Sequence, residues 1–106
     1  QEATNALIKP GAKPAEIAAA HNAWMQSKGL PAETRIYAHG QGVDMVERPL
    51  IRADETMVIA EGMCLAIHPS FETESEYSVI CDNYMVEADG LSACLHKTEK
   101  KIFAKP

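Results

Sequence analysis

Three side chains in this sequence are of types that do chemistry and lie where a backbone could present them: His39, His68 and Cys81. An imidazole titrates near neutral pH, so it can move protons or lend a lone pair to a metal. A thiolate is a soft metal ligand and a nucleophile. His39 runs into Gly40-Gln41-Gly42, whose glycines let backbone approach a ligand closely. His68 ends the apolar run from Met63 and is followed by Pro69. A titratable group at the end of a buried strand needs a partner, since leaving it unpaired costs about 1–3 kcal/mol. Cys81 stands before Asp82 in an alternating stretch, at a position the pattern buries. Each also has an ordinary structural reading: a satisfied histidine at 39, a capping histidine at 68, a small buried hydrophobe at 81. Taken singly, none of them decides between the two.

The elements that must position them follow from periodicity and punctuation. Glu2 to Lys9 reads as the last turns of a helix, with Ala3, Ala6 and Leu7 at helical spacing and Pro10-Gly11 as its end. A second helix is expected over 14–28, with Pro14 at its first position and Glu16 in its first turn. Ile17, Ala20 and Trp24 would share its inner face, with His21 beside them, and Gly29-Leu30-Pro31 stops it. From Thr34 the pattern turns to short extended runs. Arg35–His39 reads as a strand, and Met63–His68 as a central strand that is apolar on both faces. Tyr77–Val86 reads as a longer strand with Val79, Cys81, Asn83 and Met85 on one side. Ala88-Asp89-Gly90 is a turn, after which Ser92–His96 would return antiparallel. The expected class is α+β, one helix laid on a largely antiparallel sheet.

Composition narrows the partners. A chain of 106 residues makes one small domain, and 46% hydrophobic residues allow it a core. A formal charge of -5 argues against nucleic acid or an anionic membrane as partner, because no basic stripe exists to displace counterions. Lys97, Lys100, Lys101 and Lys105 form a tail interrupted by Glu99, which reads as a solvated end. Cys64, Cys81 and Cys94 have no CxxC spacing, so free thiols in a reducing cytoplasm are expected. No apolar run approaches the roughly 18 residues of a membrane span, and Met57–Ile67 is broken by Glu61 and Gly62. The chain opens Gln1-Glu2-Ala3 rather than with Met, so a start further upstream is expected.

Taken in order, the segments resemble a known family. Ala38-His39-Gly40-Gln41-Gly42-Val43-Asp44, with Glu47 and Pro49, resembles the "GHGIGLExHExP" signature of the pita-bread metallopeptidases. These comprise methionine and Xaa-Pro aminopeptidases, prolidase and the metal-free creatinase. Glu61 to Pro69 looks like their "xPGMVFTIEP" strand, and Ser78 to Asn83, with Val86 and Asp89-Gly90, like their "VRIEDT…VTEDG" strand. Leu7 to Lys13 resembles their "IKPGAK" stretch, so the likeness runs over about 3–103.

The resemblance implies that residues 1–106 form the C-terminal part of a single pita-bread catalytic domain, whose first half would bring two metal-binding aspartates. On the matched positions His39 takes the place of the histidine ligand, His68 that of a glutamate ligand and Cys81 that of a bridging glutamate. A substrate-contacting histidine falls on Val46, while Glu47 matches and would bind substrate. The cofactor implied is a divalent metal (zinc, iron, manganese or cobalt), or none, as in creatinase. His39, His68 and Cys81 make a softer set than carboxylates, suited to a single zinc if they converge. Without metal, His39 and His68 would be the catalytic proton-transfer groups. The implied function is hydrolysis of a peptide or small amide C–N bond, with the missing half and a second copy as partners. The alternative is a binding module that kept the fold and lost the two-metal site.

Overall fold

Pro14 opens the one long helix where the sequence places it. In the computed structural model, which describes residues 1–106, helix α1 is Glu2–Asn5 and helix α2 is Pro14–Ser27. The α1 segment is a single turn rather than one reaching Lys9, and the chain reverses at Gly11 with φ +87°. Proline suits the first position of α2 because its missing N–H would have no partner there. Gly29, at φ +70°, ends α2 in the left-handed region. The buried stripe is Pro14, Ile17, His21 and Met25. Trp24 was expected inside and instead stands 39% exposed, with Ala20 also outside. From Ile17, steps of four residues follow the helix surface facing the sheet, and the stripe through Ala20 and Trp24 turns away. No helix is long and apolar enough to cross a membrane.

The strands are β1 (Ala38–Gly40), β2 (Glu47–Leu50), β3 (Cys64–Ile67), β4 (Ser70–Glu72), β5 (Tyr77–Val79), β6 (Asp82–Glu87) and β7 (Gly90–Leu91). Five form one sheet in the order β2-β1-β3-β6-β7, and β4 pairs with β5. All pairings are antiparallel. The architecture is therefore the expected α+β, one main helix on an antiparallel sheet, with β3 central. The strand expected over Arg35–His39 joins the ladder only at Ala38. Neither β2 nor β4 was foreseen. Pro49 is tolerated in β2 because β2 is an edge. The return over Ser92–His96 is not a regular strand; Ser92 and Leu95 each donate one N–H to β6, to Met85 O and Asn83 O.

The expected long strand from Tyr77 is interrupted at Ile80-Cys81, opposite the interruption at His68-Pro69. Its register is not. Ile67 pairs with Asp82 and Ser70 with Val79, so the same alignment runs through the gap and sets His68 across from Cys81.

One face of the sheet carries the core: Ala38, Leu65, Ile67, Tyr84 and Val86, packed with Ile8, Ile17, Tyr37, Ile51 and Ile59. Within this layer His21 is 3% exposed, its Nδ1 is 2.8 Å from Thr4 Oγ1, and its ring lies 4.5 Å from that of Tyr37. The other end is tied by Glu55, whose carboxylate accepts from the Arg48 guanidinium and from the N–H groups of Leu50, Thr56 and Met57. Arg48, then these backbone donors, hold the Glu55 carboxyl well below the usual range.

Two expectations follow from this packing. A Cβ built on Gly40 would lie 2.5 Å from Arg48 O and 3.0 Å from Glu47 O, both backbone. Gly40→Ala should therefore force β1 and β2 apart and cost about 1–3 kcal/mol by urea unfolding, as overpacking does. Burial also pushes the His21 imidazole below its ordinary 6.5. The neutral form then stabilises the fold above that value, and the contribution is lost as pH falls through the folded pKa. The urea midpoint should drop between about pH 7.5 and 5.5, and His21→Leu should flatten that dependence.

Candidate functional site

The face of the sheet turned away from the core is where the chemistry-bearing side chains meet. Side chains alternate along each strand, and paired residues point the same way. His39 pairs with Ala66, which pairs with Asn83. One step along, His68 stands opposite Cys81 in the continued register. His39, His68 and Cys81 therefore share one side of the sheet.

The imidazoles of His39 and His68 are neighbours, with ring centroids 5.0 Å apart at 52°. His39 is 9% exposed, and its Nδ1 lies 2.8 Å from Gly40 O. A carbonyl only accepts, so Nδ1 carries the proton and donates it, leaving a lone pair on Nε2. His68 is half-buried, its backbone N–H donates to Tyr37 O, and its Nδ1 is buried with no partner. Burial pushes the His68 imidazole below its ordinary value, and the His39 ring and Arg35 push the same way. His68 is thus neutral at physiological pH.

Cys81 is exposed, where a buried position was expected. The alternation was read correctly and its inner side was not: Asp82, Tyr84 and Val86 point into the core. Asp82 can do so because it is compensated. Burial alone would raise its pKa, but Lys100 at 2.8 Å and Gln1 at 3.1 Å hold it below the usual value. Glu47 turns back on its own loop, its Oε1 accepting from Asp44 N at 2.7 Å. This brace shapes the segment after His39, whose Val43, Met45 and Val46 are exposed.

Whether these residues fit a metal can be tested on their placement. A catalytic zinc takes three protein ligands and a structural one takes four. No group of three or more His, Cys, Asp or Glu side chains is gathered so as to hold a metal ion. The face brings together two imidazoles, and Cys81 does not close the set. The residues of this chain by themselves do not fit the metal the resemblance implied.

Sequence reasoning overlooked three polar side chains beside the pair. Asn83 Nδ2 donates to Gln41 Oε1, and His96 Nε2 lies 2.9 Å from Asn83 Oδ1. The signal was present in part, since Asn83 was already placed on the side of Cys81. His96 carried none, because the irregular return after β7 brings it there.

No curated protein matches the chain with significance. Among solved structures, an X-Pro aminopeptidase from Thermotoga maritima superposes with TM-score 0.84 at 18% identity, covering 96% of this chain and 29% of its own. A prolidase from Pyrococcus horikoshii gives TM-score 0.84 at 22% identity, with 96% and 30% covered. The prolidase from Pyrococcus furiosus is 25% identical, with TM-score 0.79 and 91% and 29% covered. The chain thus spans about three tenths of the length of the structures it resembles. The model of metallopeptidase family M24 matches residues 1–88. With its α+β layers, its order of motifs and that match in agreement, the chain belongs to metallopeptidase family M24.

Proposed function

We propose that this chain supplies the proton-transfer groups of a hydrolase that cleaves a peptide or small amide C–N bond. The observation that carries the reading is the His39–His68 pair, 5.0 Å between rings, on one sheet face; the motif resemblance supports it by setting both at positions of the family's ligand residues. Neutral His68 accepts a proton from water as its oxygen adds to the carbonyl carbon. His39, with its Nδ1 tied to Gly40 O, keeps Nε2 free to hold or pass a proton. When the C–N bond breaks, the proton goes to the departing amine. The names of the similar structures, an X-Pro aminopeptidase and prolidases, make Xaa-Pro dipeptides the first substrates to try.

The altered positions belong to the same proposal. His68 and Cys81 stand where the resemblance placed two carboxylate ligands, and they are not gathered into a three-donor group. A binding module that retains the fold without hydrolysis is the second reading, and that missing third donor favours it. The chain is read as the C-terminal part of one catalytic domain, completed by the rest of that domain or by a second copy. The open edges at β2 and β7 support this, since unpaired ladder groups invite another strand. Three unpaired cysteines suit a reducing cytoplasm.

The test is hydrolysis of alanyl-proline by the intact protein, with metal content measured alongside. His39→Ala and His68→Ala should each lower kcat by about 10²–10⁴, the range of general acid–base catalysis, at unchanged Tm. Alanyl-proline binding without hydrolysis would establish the binding module. Stoichiometric metal lost on His68→Ala would add ligands from outside this chain to the site. Hydrolysis untouched by either substitution would remove the pair from the chemistry.

A further inference from the structure

The face that holds the imidazoles also carries a line of side-chain hydrogen bonds that proton transfer does not use. Asn83 is in register with Ala66 and, through it, with His39. Its Nδ2 donates to Gln41 Oε1, and its Oδ1 faces His96 Nε2 at 2.9 Å. The roles are thereby fixed: Nε2 of His96 carries the proton and donates to Asn83. His96 Nδ1 lies 3.9 Å from Asp82 Oδ1, and Asp82 is itself held by Lys100 and Gln1. Gln41 extends the ladder beyond β1, its N–H donating to Cys64 O at 2.9 Å. It therefore keeps the two-residue alternation and shares the side of His39, about 7 Å further along the strand. With Oε1 occupied by Asn83, the Gln41 amide has one free end, its Nε2 amino group with two N–H donors.

Adding water to an amide carbonyl places negative charge on the oxygen. That charge needs donors oriented before the reaction begins, because reorienting them afterwards consumes their stabilisation. The two imidazoles move protons, and no third metal-binding donor joins them. A carboxamide already locked at its oxygen end is the kind of group that serves this need.

We propose that Gln41 is the carbonyl-binding residue of this site, donating from Nε2 to the substrate carbonyl oxygen and then to the oxyanion. Asn83 and His96 are positioning residues that hold the Gln41 amide. This rests on the hydrolase reading above and names the group that reading leaves unassigned.

The experiment uses the intact protein and alanyl-proline. Gln41→Ala and the near-isosteric Gln41→Glu, which lacks the donor, should each lower kcat by about 10²–10³ and raise KM by no more than about tenfold, since the donor binds the carbonyl but binds the oxyanion more strongly. Asn83→Ala should lower kcat about tenfold and add nothing to Gln41→Ala in the double variant, because coupled residues are non-additive. A purely structural Asn83 would instead add its own loss and lower Tm. If both Gln41 variants keep kcat within about threefold while His39→Ala loses it, Gln41 is not the carbonyl donor and the hydrolase reading stands. If the wild type hydrolyses nothing, alanyl-proline affinity is measured by calorimetry on the same variants. Gln41→Ala should then weaken binding about tenfold, as for a lost hydrogen bond. Equal affinity, or no binding by the wild type, overturns the assignment.

Discussion

Along an antiparallel ladder, a slip of one residue would turn every side chain to the other face. The alignment of β1 with β3 and of β3 with β6 therefore decides what this surface can do. It sets His39 beside Ala66 and Asn83, and it carries on through the broken stretch to bring His68 opposite Cys81. The same alignment sends Ala38, Leu65, Ile67, Tyr84 and Val86 to the helix side, where they exclude water. One register thus builds a dry face and a chemical face together, and neither can move without the other.

Several local contacts keep that register from slipping. Gly40 allows the backbone of β2 to come closer to β1 than any side chain would permit. Glu55 gathers Arg48 and three backbone donors, and so ties the far end of β2. Asp82 is a carboxylate turned into the core layer, a placement that would be costly unpaired. Lys100 and Gln1 from the two ends of the chain compensate it. The termini thereby help to fix β6, the strand that carries Asn83.

Much of this was legible in the residues. Helix α2 announced itself through Pro14 and Gly29, and β3 through an unbroken apolar run. The order of motifs around His39, His68 and Cys81 gave the family, because each motif places a backbone feature as well as a side chain. Other features depended on tertiary context. Ile17-Ala20-Trp24 and Ile17-His21-Met25 are equally good helical stripes, and only the shape of the sheet chose the second. Alternation through Tyr77–Val86 was plain, yet which side faced inward turned on Asp82 finding Lys100 eighteen residues later. The Gln41–Asn83–His96 line was out of reach for the same reason, since it joins a loop, a strand and an irregular return.

The central claim is that register brings two distant imidazoles into contact, and the most direct measurement is NMR on the intact protein with labelled histidine rings. The expected result is a nuclear Overhauser effect between the ring protons of His39 and His68, with His68 titrating lower than an isolated imidazole and shifting upward in His39→Ala. Rings that show no mutual effect, or a His68 that titrates as an isolated imidazole whether or not His39 is present, would contradict it.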